Sequence, residues 1–381
     1  MSIPEFQKRV FIFGAGASVN SGAPLMTNFL DKAEYLYRGL MVDRNYVSQI
    51  HAKEHFQLVF EALDSMQSLH SKSNIDLDNI EDVFGAFEIA NIIKQLGSFP
   101  TDKIEGLSMA ASILIAYTLE HTCEFKRGAN GFMPQGDYRR FIEDLIKDSV
   151  LEKDGTRLFQ NNTFITFNYD VCLDAAIHYH GFKIDYGLRD FTEPSAVKLF
   201  KLHGSINWAE CLDSNCGQMF AIDLSDYVPK LLNACSRQVQ APITDYLFFT
   251  PEYHEYRIKY NVCNCANAAR KYKPVIVPPT WNKTSSHQKV RNVWKHAAEA
   301  LGEAEYIYVI GYSLPETDVF FRLLYALGSE SGTRLKKFLV INPDETARSR
   351  FDKIVSQGRI HRYDFKKEYF SDSIDTLFDC E

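Results

Sequence analysis

Five short apolar runs, each stopping at small or polar residues, limit what this chain can fold into more than any other feature. They are "RVFIF" before Gly14-Ala15-Gly16-Ala17-Ser18, "NTFITFNYD" ending in Asn168-Tyr169-Asp170, "AVKLFKLHGSINW" read as a strand ending at His203, "AEYIYVIGYSLPETD" with Gly311-Tyr312-Ser313, and "KKFLVINPD" with Asn342. Runs this short, rich in β-branched and aromatic residues, suit strands covered on both faces. Helical patterns such as "VCLDAAIHYHG" alternate with them, and "YKPVIVPP" is a further strand. The pattern predicts an α/β fold with a doubly wound parallel sheet. In such a sheet the carboxyl ends of the strands line one crevice, where ligands bind. Residues scattered along the chain thereby become one candidate site.

The stretch "RVFIFGAGASVNSGAP" reads as a strand, Val10 to Phe13, running into a glycine turn and then residues suited to a helix start. Gly14 and Gly16 are expected to take positive φ and admit a ligand to the backbone, with the N–H groups and helix dipole facing a pyrophosphate. Val19 stands where a full G-x-G-x-x-G would have its third glycine, and no strand-end acid follows at the usual distance. The fingerprint is partial, and a plain strand-to-helix turn is the alternative.

Between the first two strands, "FLDKAEYLYRGLM", "HFQLVFEALDSM", "IEDVFGAFEIANIIKQL" and "SMAASILIAYTLEHTCEF" carry apolar residues at helical spacing. Residues 25–155 are therefore read as a helical insertion, with "GANGFMPQGDY" a loop before the helix "YRRFIEDLIKDSV". The acids of "NIDLDNIEDVF" suit a helix N-terminus better than a metal site. With 381 residues, 45% of them hydrophobic, the chain can bury a large core. A net charge of -7 argues against a broad nucleic-acid surface. No signal peptide is read in "MSIPEFQKRVFIF", and no apolar run reaches membrane-spanning length. Eight irregularly spread cysteines suit a reducing compartment, so the cytoplasm is the expected location. Trp208, Trp281 and Trp294 are read as packing aromatics, and Lys201 and Lys283 as solvated surface lysines.

"GAGAS…SGAP", "TFNYD", "LHG", "GYSLPETD" and "INPD", in this order across residues 10 to 345, resemble the motif series of the sirtuin (Sir2) family. "LHGSINW" and "GYSLPETD" are more similar to Sir2-like domains of bacterial anti-phage defence proteins. The resemblance implies an NAD-binding, Rossmann-type sheet built from residues 1–24, 160–205 and 273–381, with a smaller module at 206–272. It also implies roles. Gly14, Ala15, Gly16 and Ser18 would meet the pyrophosphate and adjacent ribose, Asn168 and Asp170 the nicotinamide side, and Gly311, Ser313 and Asn342 the adenosine half. His203 would lie beside the ribose hydroxyls, either as a base or as a positioning group.

The chain departs from the family in three places. Leu25-Met26-Thr27 replaces the Asp-Phe-Arg that follows the SGxP loop in sirtuins. "VPPTWNK" occupies the place of the Phe-Gly-Glu stretch, where deacylases bind acyl-lysine peptide as an added strand; Pro278 and Pro279 remove two N–H donors from any such edge. Cys211-x4-Cys216 and Cys263-x-Cys265 stand where the family has two C-x-x-C pairs, with both spacings altered. They are the zinc candidates, and reduced thiols are the simpler reading. Since hydrolysis needs no peptide partner, the expected activity is that of an NAD+ glycohydrolase acting in anti-phage defence. An NAD- or ADP-ribose-binding regulatory subunit and a protein deacylase are the alternatives. The resemblance further implies a homo-oligomer and a HerA-like ATPase or Argonaute-like partner.

Overall fold

The computed structural model describes residues 7–42, 47–67, 75–128, 131–134, 136–150, 161–211, 216, 218–222, 224, 272–277, 290–315, 319–328, 333–355 and 360–377. β1 (Arg9–Phe13) is followed by three single turns of 3-10 helix, at Ala15–Ala17, Val19–Ser21 and Met26–Asn28. Helices α1 (Phe29–Val42), α2 (Val47–Gln67), α3 (Ile80–Ile93) and α4 (Leu107–Thr122) come next. A hairpin of β2 (Phe125–Gly128) and β3 (Gly131–Pro134) then leads into α5 (Asp137–Val150). The chain continues as β4 (Asn162–Thr166), α6 (Cys172–Tyr179), β5 (Ile184–Asp185) and β6 (Val197–Lys201). β7 (Gly204–Cys211), β8 (Met219–Ala221) and β9 (Tyr272–Ile276) form a separate antiparallel sheet. The remaining elements are α7 (Arg291–Glu303), β10 (Tyr306–Ile310), α8 (Val319–Gly328), β11 (Lys337–Ile341), α9 (Thr346–Val355), β12 (Arg362–Lys366) and α10 (Phe370–Ser373).

The main sheet has seven parallel strands in the order β12-β11-β10-β1-β4-β6-β5. From β1 the chain winds outward through β4 and β6, then returns and winds the other way through β10, β11 and β12. The reversal falls between β1 and β10, the point at which a doubly wound sheet opens a crevice. Every residue of β4, β10 and β11 is buried, as expected for strands covered on both faces. Register brings their ends level. Phe13 lies opposite Thr166 and Ile310, Thr166 opposite Lys201, and Ile310 opposite Ile341. The residues just past the strands therefore share one edge.

α5 covers β1 on one face. Its Tyr138, Phe141, Ile142 and Leu145 are buried at helical spacing, while Arg139 and Glu143 pair on the exposed side at 2.7 Å. Phe141 meets Phe11 and Phe13 edge-on at 5.2 and 5.4 Å, and Tyr138 meets Phe13 at 5.4 Å. Burying each such ring contributes about 1.5–3 kcal/mol. This packing sets the first turn of α5 beside the carboxyl end of β1.

Four expectations are corrected. β1 runs into 3-10 turns rather than an α-helix, so at most a single-turn dipole faces the crevice. "CEFKRGANGFMP" holds the β2–β3 hairpin rather than a helix end and a loop. The run "KLFKLHGSINW" is two strands, with His203 in the corner between the parallel sheet and the antiparallel one. β9 pairs with β7, so "YKPVIV" packs with the small sheet and not with the Rossmann-like one. Among the described residues no helix is long and apolar enough to cross a membrane.

Candidate functional site

The loops after β1 and β10 are locked together at the crevice. Gly14 N–H donates to Ile310 O at 3.0 Å, and Gly16 N–H to Gly311 O at 2.9 Å. A methyl group on Gly14 would stand 2.5 Å from Tyr312 Cα, and one on Gly16 2.8 Å from Gly311 O. On Gly311, at φ +63, it would overlap Ala17 N and lie 2.6 Å from Gly16 C. Gly14 is extended at φ -111, and Gly16 is likewise outside the positive-φ region, contrary to the sequence expectation. The glycines are required here because backbone meets backbone. The N–H groups of Gly14, Gly16, Ala17 and Ser18 all donate to protein carbonyls. Among the described residues, Ala15 alone of residues 14–18 keeps an uncommitted amide, beside the exposed Gly16.

Asn168 sits just past β4 and reaches back to this loop. Its Nδ2 donates to Gly14 O and to Ser18 Oγ, both at 2.9 Å, and lies 3.4 Å from Tyr138 OH. Its own N–H donates to Thr166 Oγ1 at 3.0 Å. A carbonyl oxygen can only accept, so the amide must turn its nitrogen toward Gly14 and its oxygen away. Ser18 is fully buried, and its hydroxyl is 2.9 Å from that of Tyr138. Burial holds the Tyr138 phenol far above the ordinary tyrosine value, so it keeps its proton. Ser18 is thus spent on the protein's own network, whereas Asn168 Oδ1 is an uncharged acceptor.

His203 is 3% exposed and lies at the corner between the two sheets. Phe167 meets its ring edge-on at 5.2 Å, and Tyr169 lies tilted at 6.2 Å. Phe167 in turn stacks on Tyr312 at 4.2 Å, nearly parallel. Side chains from the ends of β10, β4 and β6 therefore form one aromatic plate across the sheet edge. The corner is held on both sides. Trp294 Nε1 donates to Leu202 O at 2.9 Å, and His203 O accepts Val277 N–H at 2.8 Å. Gly204 follows at φ +83, where a methyl group would overlap Val275 O, so the glycine of the His-Gly pair is needed by the passing β9.

The remaining candidates serve the scaffold more directly. Asp170 Oδ1 accepts Cys172 N–H at 2.9 Å, at the start of α6. Asn342 donates to Tyr312 O at 3.0 Å and accepts Asp344 N–H at 2.9 Å, tying the ends of β10 and β11. Ser313 is half-buried, and its carbonyl accepts Arg350 Nε–H at 2.8 Å. Cys211 is buried on β7 and Cys216 is half-buried. Among the described residues no three His, Cys, Asp or Glu side chains are grouped to hold a metal. Cys263, Cys265, Pro278, Pro279, Trp281 and Lys283 lie outside the described residues.

Sir2 structures are similar to this chain. A Sir2–p53 peptide–NAD+ complex has 14% identity and a TM-score of 0.38 over 98% of this chain and 93% of that one. A Sir2 homologue bound to ADP-ribose has 12% identity and a TM-score of 0.39 over 98% and 92%. Sir2 with the inhibitor EX-527, 2'-O-acetyl-ADP-ribose and a deacetylated p53 peptide has 13% identity and a TM-score of 0.38 over 98% and 94%. No family model and no curated protein matches the chain.

Three groups near the site escape a reading based on strand ends. Tyr138 enters from α5, in the segment read as an insertion, and its only sequence signal is a tyrosine opening an amphipathic helix. Phe167 lies within the quoted "TFNYD" but looks like one more strand aromatic. Lys201, read as a surface lysine, is fully buried against Asp174 at 3.1 Å and donates to Asp170 O. Burial raises the Asp174 carboxyl above its ordinary value, with Lys201 and the Tyr186 hydroxyl opposing that rise.

Proposed function

We propose that this protein is an NAD+ glycohydrolase that splits NAD+ into nicotinamide and ADP-ribose and acts as an anti-phage effector by depleting cellular NAD. The observation that carries the reading is the anchored Asn168 amide, with Nδ2 held by Gly14 O at 2.9 Å and Oδ1 turned away from the loop. Cleaving the nicotinamide bond builds oxocarbenium character at the anomeric carbon, so the site must direct water there without a competing nucleophile. A fixed neutral acceptor can hold such a water by one of its hydrogens. His203, two residues past the level of Thr166 and Phe13, supplies an imidazole that can take a proton or hold a ribose hydroxyl. The exposed backbone at Ala15 and Gly16 would meet the pyrophosphate, and the β10 and β11 ends, with Gly311, Ser313 and Asn342, the adenosine half. The motif resemblance extends the reading to assembly into a homo-oligomer and to control by a HerA-like ATPase or an Argonaute-like protein.

Nicotinamide release from NAD+ tests it, with the protein alone and with any co-encoded ATPase, beside Asn168→Ala and His203→Ala. Loss of release in both variants, with NAD+ still bound, is the expected result. Bound NAD+ without release under any condition would favour a regulatory binding subunit, and release strictly dependent on an acylated peptide would favour a deacylase.

A further inference from the structure

We propose that Tyr138 is a positioning residue that steadies the Asn168 amide through the hydroxyl of Ser18, so that the helical segment between β1 and β4 completes the site. The proposal rests on the role given above to Asn168 Oδ1. Asn168, Ser18 and Tyr138 are 9%, 0% and 1% exposed, so the network is settled among protein groups. Asn168 Nδ2 has two hydrogens, and the groups at 2.9 Å are Gly14 O and Ser18 Oγ. When Ser18 accepts one of them, its own hydrogen needs an acceptor, and the Tyr138 oxygen is within reach at 2.9 Å. Tyr138 thereby keeps Ser18 an acceptor toward Asn168. Without the phenol oxygen the serine hydrogen turns toward the amide nitrogen and the Ser18 contact is lost, while Gly14 O still keeps the nitrogen on the loop side. Oδ1 would then be offered to the crevice by an amide held at one point instead of two.

Tyr138 is held by packing that does not involve its hydroxyl. The ring meets Phe13 at 5.4 Å and Phe370 at 5.8 Å, contacts that phenylalanine would keep. The loop is also clamped to the same segment elsewhere. Asn20 Nδ2 donates to Asp137 Oδ2 at 2.9 Å, and Glu124 N–H to Ser21 O at 2.7 Å. Tyr138→Phe therefore removes one hydroxyl without releasing the loop.

Tyr138→Phe is expected to lower kcat for nicotinamide release about three- to tenfold, the worth of one hydrogen bond, with KM unchanged within about twofold. Ser18→Ala should do the same, and the double variant should lose no more than the larger single loss, because both act through one contact. A second readout needs no turnover. In protein labelled with 15N-asparagine, the Asn168 side-chain amide, assigned by its absence in Asn168→Ala, should exchange with solvent about three- to tenfold faster in Tyr138→Phe. Losses that multiply, or an Asn168 amide that does not respond, would overturn the proposal. A wild-type protein that releases no nicotinamide overturns the glycohydrolase reading instead, and the amide exchange then decides the role of Tyr138 by itself.

Discussion

Gly311→Ala tests the claim that the loops after β1 and β10 are held together by backbone contact. Two costs can be worked out. A side chain at φ +63 costs about 1–2 kcal/mol through its clash with the following carbonyl. The new methyl would also meet Ala17 N and, at 2.6 Å, Gly16 C, which are backbone atoms and cannot swing aside. Parting the loops to make room breaks the bonds from Gly16 N–H to Gly311 O and from Gly14 N–H to Ile310 O, at 2.9 and 3.0 Å. Each is worth about 0.5–1.5 kcal/mol, so the whole loss comes to about 2–5 kcal/mol. Gly181→Ala separates the two costs, since Gly181 has φ +81 but nothing within 4 Å of its missing methyl. It should lose only the conformational part, about 1–2 kcal/mol. Gly39→Ala, in α1 with open space around it, should gain about 0.5–1 kcal/mol. Urea titration of the three variants, at an unchanged denaturant slope, reads these differences directly. A Gly311→Ala protein no less stable than Gly181→Ala would refute the interlock.

Lys201→Met should cost about 3–5 kcal/mol, because it leaves Asp174 charged and buried, and adding Asp174→Asn should recover most of the loss; a double variant as unstable as the single would argue against a true ion pair. His121 stacks on Tyr117 at 3.9 Å, and burial holds its imidazole down at about 4. Above the ordinary histidine value both folded and unfolded chains are neutral there. As pH falls from about 6.5 toward 4 only the unfolded chain gains the proton, so stability should drop by about 3 kcal/mol by pH 4. His121→Phe should lack that part of the slope, which urea titrations at pH 7 and pH 4.5 would show. Asn168→Ala and His203→Ala should each abolish nicotinamide release while keeping the fold, as near-ultraviolet circular dichroism would report.

The glycines show how a correct residue can be read for the wrong reason. Gly14 and Gly16 stood out in the sequence as a ligand-approach turn, yet the atoms pressed against them belong to Gly311 and Tyr312. That contact depends on β10 lying beside β1, and strand order leaves no mark in "RVFIFGAGAS". "KLFKLHGSINW" has the opposite difficulty. Its apolar pattern continues straight through the corner at Leu202-His203, because both sheets bury their strands and local hydrophobicity cannot register the change of partner.

Sequence alone determined the parallel α/β sheet, the helical character of the segment after β1, and the polar strand ends at Asn168, His203, Gly311 and Asn342. These follow from interactions between near neighbours, in which side-chain type and spacing decide whether a run is buried as strand or helix. Tertiary structure decided which of those polar groups remain open to a ligand. Asn168 meets Gly14 across 154 residues of chain and Tyr138 across 30, Asp170 accepts the Cys172 amide at the start of α6, and Asn342 ties the end of β11 to Tyr312 O. Hydrogen bonds of this kind are set by the position and direction of individual atoms, which exist only once sheet order and helix packing have brought distant segments together.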